Sequence, residues 1–157
     1  MHGCRCGYHG DAARECRCTG AQIQQYLGKI SGPLLDRIDL HIEVPAVPYQ
    51  ELRGTSEGVT SAEIRDRVVA ARAVQHQRGF YNAHIPVGKL RKLCALDAAG
   101  ERTLEMAVRR MGLSARAHDR ILKVARTIAD LGGSGPVAAK HVAEAIQYRS
   151  LDRSYWS

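Results

Sequence analysis

Aromatic side chains are scarce: six Tyr, one Phe and one Trp make up 5% of the 157 residues. They do not alternate with basic residues, which argues against an RNA-stacking sheet or a single-strand groove. No run approaches the roughly 18 consecutive apolar residues of a membrane helix, so no membrane partner is expected. The first twenty residues carry cysteines and charges where a secretory signal would be apolar, which makes the cytoplasm the expected location. Acidic residues are also short, 16 against 23 Lys and Arg, for a net charge of +7. That excess suits a polyanion such as nucleic acid or nucleotide, or simply a soluble basic surface. Several catalytic motifs are missing. Gly28-Lys29 runs into Ile30 and Gly88-Lys89 into Leu90, so no phosphate loop is present. There is no apolar strand ending in Asp-Glu to hold Mg2+, no H-E-x2-H and no G-x-S-x-G.

What remains is an ordinary globular composition, 45% apolar and 25% charged, enough for one domain with an appendage. Four of the five cysteines fall at Cys4, Cys6, Cys16 and Cys18, in the pattern C-x-C, nine residues, C-x-C. A cluster this tight fits a metal better than a disulfide scaffold, and four thiolates match a closed tetrahedral Zn2+ site. The one-residue gap gives a tighter bite than the common C-x2-C knuckle. His2 or His9 could replace a thiolate, and four reduced, unliganded thiols are the plain alternative. Gly7 and Gly10 give the backbone freedom to fold the pairs together. Cys94, alone in an apolar helical context, reads as a small core residue.

Beyond the cysteines, Ala21 to Lys29 reads as a short helix that Ser31-Gly32-Pro33 breaks. From Ile38 to Val44, apolar Ile38, Leu40, Ile42 and Val44 alternate with polar residues, which predicts a strand with one buried face. Residues 45–58 hold Pro, Gly, Ser and charges without periodicity and read as a linker. From Thr60 onward the periodicity predicts about five helices over residues 60–150. Thr60 and Glu63 form a capping-box signature, with Ile64, Val68, Ala71 and Val74 on one face and Arg65, Arg67, Arg72, Gln75, Gln77 and Arg78 on the other. Pro86 opens a second helix, with Leu90, Leu93 and Cys94 inward. Asp97 caps a third that Gly112 stops. Ser114 caps the clearest, carrying Ile121, Leu122, Val124, Ala125, Ile128 and Leu131 up to Gly132-Gly133. Pro136 opens the last, which runs to Arg149.

Two arginines stand out by position. Arg37, in Leu-Leu-Asp-Arg-Ile-Asp, follows a Gly-Pro break at the edge of the expected strand. Arg116 sits in the first turn of the helix that Ser114 caps, where the helix dipole opposes a cation by roughly 0.3 to 1 kcal/mol. An arriving anion, held by guanidinium and free N–H groups together, would account for that placement. A surface arginine is the plain reading of each.

The strings CRCGYHGDAARECRCT and ISGPLLDRIDLHIEV between Cys4 and Val44, LSARAHDRILKVARTIADL from Leu113 to Leu131, and the ending AIQYRSLDR resemble the C-terminal part of magnesium-chelatase-like AAA+ ATPases of the competence-associated type. The resemblance covers nearly the whole chain. It implies that Arg37 matches an arginine finger reaching nucleotide in a neighbouring ring subunit, and that Arg116, with Ser114, matches the sensor-2 region that reads the phosphates. The cysteine cluster matches a module written N-P-C-P-C-G in the family. His2-Gly3-Cys4-Arg5-Cys6-Gly7 stands here instead, so His2 falls where a sensor-1 asparagine would be.

The expected fold class is therefore mainly α: a cysteine-rich zinc module over 1–19, the last strand of an α/β AAA+ core over 20–45, a linker over 46–59, a helical AAA+ lid over 60–150 and a tail over 151–157. The phosphate loop and Mg2+ carboxylates would lie upstream, so no ATP hydrolysis is expected of this chain alone. ATP and Mg2+ enter only in the full-length context, where the resemblance implies a ring homo-oligomer acting on DNA in branch migration during natural transformation. The alternative is a stand-alone helical adaptor that binds DNA or protein through Arg65, Arg72 and Arg78.

Overall fold

The computed structural model describes residues 2–11, 14–45, 47, 49, 53 and 58–149. The linker expected over 46–59 lies largely outside the described residues, and the tail over 151–157 wholly so. Two compact units emerge. One comprises Met1–Leu35 with Ile42–Glu57, the other Asp36–His41 with Gly58–Ser157.

In the first unit, helix α1 spans Gly20–Leu27 and is closed by a reciprocal cap. The Gln22 N–H donates to Thr19 Oγ1 at 3.3 Å, and the Thr19 N–H donates to Gln22 Oε1 at 3.1 Å. The Gly-Pro pair read as a break opens a further single turn, α2 at Gly32–Leu35. Pro33 is tolerated there because a first-turn N–H has no helical acceptor to lose.

The strand predicted over Ile38–Val44 does not form, and no strand occurs among the described residues. A strand needs a partner ladder for its backbone groups. Here those groups are taken elsewhere: Arg149 donates to the Ile38 carbonyl, and the His41 N–H donates to the Tyr148 carbonyl at 2.7 Å. The apolar alternates consequently face water, with Ile42 and Val44 64% and 79% exposed.

The second unit contains the five helices that periodicity predicts. Helix α3 (Ser61–Gln77) starts at the Thr60–Glu63 capping box. Its apolar face is a correction, because only Ala71 and Gln75 are buried, while Ile64, Val68 and Val74 stay exposed. The helix packs on α6 (Ala115–Leu131), where the small Ala71 side chain permits close approach and Gln75 Oε1 accepts the Asn82 N–H at 3.2 Å. No residue of α3 ahead of Ala71 is buried. Gln75 and Arg78, expected on the outer surface, both turn inward.

Helix α4 (Val87–Leu93) follows Pro86 and buries Leu90. Helix α5 (Ala98–Met111) is capped by Asp97 and ends at Gly112, whose φ of 62° is left-handed. Helix α6 begins at Ser114, whose Oγ accepts the Ala117 N–H at 3.1 Å. Helix α7 (Ala139–Gln147) starts three residues after Pro136 rather than at it. The intervening Val137 pairs with Leu96 in an isolated parallel bridge, and the Ala138 N–H donates to His141 Nδ1 at 3.0 Å as the start signal. A single core joins these elements. Ile85, Leu90, Cys94, Leu104, Ile121, Leu122, Ala125, Ala129, Val137, Val142 and Ala145 form it, with α6 at the centre against α3, α4 and α7.

A buried polar knot crosses this core. Asp130, at the end of α6, has a fully buried side chain and accepts from Arg78, from Arg126 Nε at 3.1 Å and from Asn82 Nδ2 at 2.8 Å. Arg126 also donates to the Gly135 and Ser134 carbonyls at 2.7 and 2.8 Å, which fastens the α6–α7 turn. Removing one partner from a buried ion pair leaves an uncompensated charge. Asp130→Ala should therefore cost about 3–5 kcal/mol in chemical denaturation, well above an exposed control such as Glu105→Ala.

His141 supplies a pH dependence. Burial holds its imidazole below the ordinary histidine value, the charges of Lys140 and Arg126 add to this, and Glu144 opposes it. The neutral Nδ1 is also what accepts the Ala138 N–H. As pH falls, the unfolded chain therefore takes up the proton first, near its ordinary value of about 6.5. Stability should be complete above that pH and decline below it, read as a falling urea midpoint, and His141→Gln should flatten that part of the slope.

Candidate functional site

In the first unit the chain folds back on itself between Cys4 and Cys18. Gly7 and Gly10 adopt φ values of 88° and 82°, conformations that a side chain would strain, and the Gly7 N–H donates to the Cys4 carbonyl at 3.2 Å. The result brings the sulfurs of Cys4, Cys6, Cys16 and Cys18 within 4.8 Å of one another. Cys4 Sγ lies 3.3 Å from Cys6 Sγ and 3.6 Å from Cys16 Sγ. These gaps are far longer than a disulfide bond of about 2.05 Å. They sit close to the roughly 3.8 Å sulfur–sulfur spacing that a tetrahedron with metal–sulfur bonds of about 2.3 Å requires. The four cysteines could hold a metal ion, and neither His2 nor His9 belongs to the cluster.

The electrostatics of the cluster are those of crowded thiolates. The Tyr8 backbone N–H and the Cys4 thiol lower Cys6 to about 6. Burial opposes ionisation of Cys4, yet the His9 and Gly7 backbone N–H groups and the Cys16 thiol bring it below the ordinary thiol value. Cys16 gains from the Cys18 backbone N–H, but burial and the Cys4 and Cys6 sulfurs push it up to about 12. Cys18 gains from the Cys6 backbone N–H and is still raised, by the Cys6 side chain and burial. Two thiolates thus form readily and resist the other two, a conflict that a bound cation removes.

In the second unit, residues Asp36–His41 are bound along the helical bundle. Ser114 Oγ donates to Asp36 Oδ2 at 3.0 Å while also capping α6. Arg120, one turn along α6, pairs with Asp39. Arg149, fully buried, donates to the Ile38 carbonyl and lies 3.7 Å from Asp36 Oδ1. The His41 N–H completes the set on the Tyr148 carbonyl.

Arg37 sits inside this gripped segment with its own residue exposed. Arg116 is exposed too, in the first turn of α6 and two residues beyond Ser114. The structure therefore joins Asp36, the neighbour of Arg37, to the residue that caps the helix bearing Arg116. Arg116 lines a surface cavity of about 470 Å³ with Asp39, Asp119, Arg120 and Lys123. Lys123 reaches across it to donate to the Ala83 carbonyl at 3.0 Å. Sequence spacing marked Arg37, Ser114 and Arg116 but missed Asp36, Asp39, Arg120 and Arg149. Nothing in local periodicity relates positions separated by 78, 81 or 111 residues.

Among the described residues no helix is long and apolar enough to cross a membrane. Comparison with known proteins divides the chain near residue 58, as the structure does, but leaves Asp36–His41 with the N-terminal part. Residues 58–149 match the family described as magnesium chelatase, subunit ChlI C-terminal, and residues 1–52 match magnesium chelatase, subunit ChlI. The chain is 44% identical over 139 residues to the competence protein ComM of Haemophilus influenzae, covering 87% of this chain and 27% of that protein. It is 42% identical to the protein YifB of Escherichia coli, over 87% of this chain and 28% of that protein. An uncharacterised protein of Mycobacterium bovis is 36% identical over 141 residues, 87% of this chain and 28% of its own length. The chain thus spans about a quarter of the length of these relatives. With a match over residues 58–149, more than half of the chain, this chain belongs to the magnesium chelatase, subunit ChlI C-terminal family.

Proposed function

We propose that this chain supplies the C-terminal elements of an AAA+ ring ATPase that acts on DNA, with Arg37 as an arginine finger toward nucleotide held by a neighbouring subunit and Arg116 as the sensor-2 arginine. The observation that supports this reading most strongly is the bonding of the Arg37 segment to the Arg116 helix through Asp36 and Ser114. Arg37 and Arg116 are both exposed residues. A guanidinium suits the task because its planar fork neutralises charge developing on a transferring phosphoryl group. DNA is supported by the +7 charge and by the name of the Haemophilus influenzae relative, a competence protein. An adaptor reading through Arg65, Arg72 and Arg78 is less well supported, since Arg78 is committed to Asp130.

The cysteine cluster serves as a structural Zn2+ site in this proposal. Its donor set of four thiolates is soft and closed, and leaves no position for a reacting water. Zinc bound there would staple the first unit, as Cys4, Cys6, Cys16 and Cys18 bring together a segment with no buried helix of its own.

The finger role is tested by grafting this chain in place of the matching part of the Haemophilus influenzae relative and measuring ATP turnover. Arg37→Ala should lower kcat by about 10³-fold or more while ATP still binds. Turnover that survives the substitution overturns the finger assignment. The zinc assignment predicts about one equivalent of zinc per chain after dialysis, four thiols shielded from alkylation, and weakening by at least about tenfold on Cys16→Ser. Metal-free chain with four freely alkylated thiols refutes it.

A further inference from the structure

The outer face of α3 and the turn that follows it carry an exposed cluster of cations and aromatic rings. Arg65 and Arg72 lie about two turns apart on one face of the helix, and His76 stands one turn further along it. The chain then reverses at Gly79, whose φ of 80° is left-handed, and returns Tyr81 to that face. The Arg72 guanidinium lies over the Tyr81 ring, 4.8 Å from its centroid. Tyr81 Oη is 2.9 Å from His76 Nε2, and the rings of His76 and His84 meet the tyrosine edge-on with centroids 5.0 and 6.4 Å away. Lys123 reaches in from α6 to the Ala83 carbonyl at 3.0 Å. Aromatic and basic residues do not alternate along the chain, yet the fold gathers them here from α3, the turn and α6.

The bundle gains little from these contacts. Arg65, Arg72, His76, Tyr81 and His84 are all exposed, and a cation–π pair open to water contributes little to stability. The two acids of this part of α3, Glu63 and Asp66, fall on other faces of the helix, and Glu63 is spent on the Thr60 cap. Arg78 turns inward to Asp130 and takes no part. We propose that this face binds single-stranded DNA, with Arg65, Arg72 and Lys123 taking phosphates while a base stacks on the Tyr81–Arg72 pair. This rests on the DNA reading above and adds where the strand lies. The aromatic component selects the strand form, because a duplex hides the faces of its bases and an unpaired strand presents them to rings and guanidinium planes. An acidic peptide would satisfy the cations but would offer the rings no flat partner.

Fluorescence anisotropy with the whole chain and a labelled oligothymidylate of about 20 nucleotides tests it, against a duplex of the same length. The single strand should bind at least about tenfold more tightly than the duplex. Tyr81→Ala and Arg72→Ala should each weaken it by about tenfold, whereas Tyr81→Phe, which keeps the ring and loses the hydroxyl, should cost less than about threefold. Arg65→Ala should lower the slope of log affinity against log salt by about 0.7, the share of one phosphate on a single strand. Arg109→Ala, at an exposed position on α5, is the control and should change affinity by less than about twofold. The substituted residues are exposed, so every variant should keep the urea midpoint of the parent. Failure to bind the single strand, a preference for the duplex, or equal losses in Arg72→Ala and Arg109→Ala overturns the assignment. So does displacement of the strand by polyglutamate as effectively as by unlabelled oligothymidylate, which marks an acidic peptide as the partner. The DNA reading itself has a separate measure, the stimulation of ATP turnover by DNA in the graft. Stimulation that is unaltered by Tyr81→Ala and Arg72→Ala leaves that reading standing and removes this face from it.

Discussion

The helical unit depends on one buried carboxylate. Asp130 lies at the point where the end of α3, the turn at Asn82 and the α6–α7 connection converge, and it answers a donor from each neighbourhood through Arg78, Asn82 and Arg126. Apolar packing could hold the same helices together, but it is indifferent to small rotations. Hydrogen bonds to a buried ion are not, because a donor that swings away leaves a desolvated charge behind. The ends of α3 and α6 are thereby set in register, and α6 carries that register forward to its own first turn, where Ser114 and Arg116 sit.

Most of this unit was legible from residue order because its helices obey local rules. Thr60 with Glu63, Asp97 and Ser114 cap where their side chains predict, and the apolar spacing of α6 marks the helix that ends up most buried. The misreadings share a cause. Alternation at Ile38, Leu40, Ile42 and Val44 satisfies the rule for a strand, but a ladder needs a second strand, and periodicity cannot report whether one is at hand. The face of Ile64, Val68 and Val74 satisfies the rule for burial, yet burial requires a partner surface, and α3 buries only Ala71 and Gln75. Pro136 was read as a helix opener because its φ suits that position, while the Val137–Leu96 bridge claimed the intervening residue. Each error turns on a tertiary partner, absent in the first two cases and present in the third, that local order does not report.

At the candidate sites the same distinction holds. The four cysteines were grouped correctly because metal-type clusters are local, and the two glycines between the pairs adopt the positive φ that the fold-back needs. The attachments around Arg37 are non-local and leave no mark on spacing. In the sequence Asp36 and Asp39 simply flank an arginine, and Arg149 ends the last expected helix. Only in three dimensions do they become the two walls of one segment.

That arrangement also bears on why an arginine proposed to meet phosphate is flanked by aspartates at all. Two carboxylates beside Arg37 would ordinarily compete with an incoming anion for its guanidinium and repel the anion itself. Here each is occupied: Asp36 by Ser114 and the nearby Arg149, Asp39 by Arg120. Pairing them with cations and donors of the bundle removes most of that repulsion and converts both acids into anchors. The same interactions tether Arg120 at one side of the cavity that Arg116 lines, so Arg116 is the cationic group there whose task is least accounted for by the fold. Neutralising the acids and fixing the segment are therefore one structural solution, and it would be lost together if either aspartate were freed.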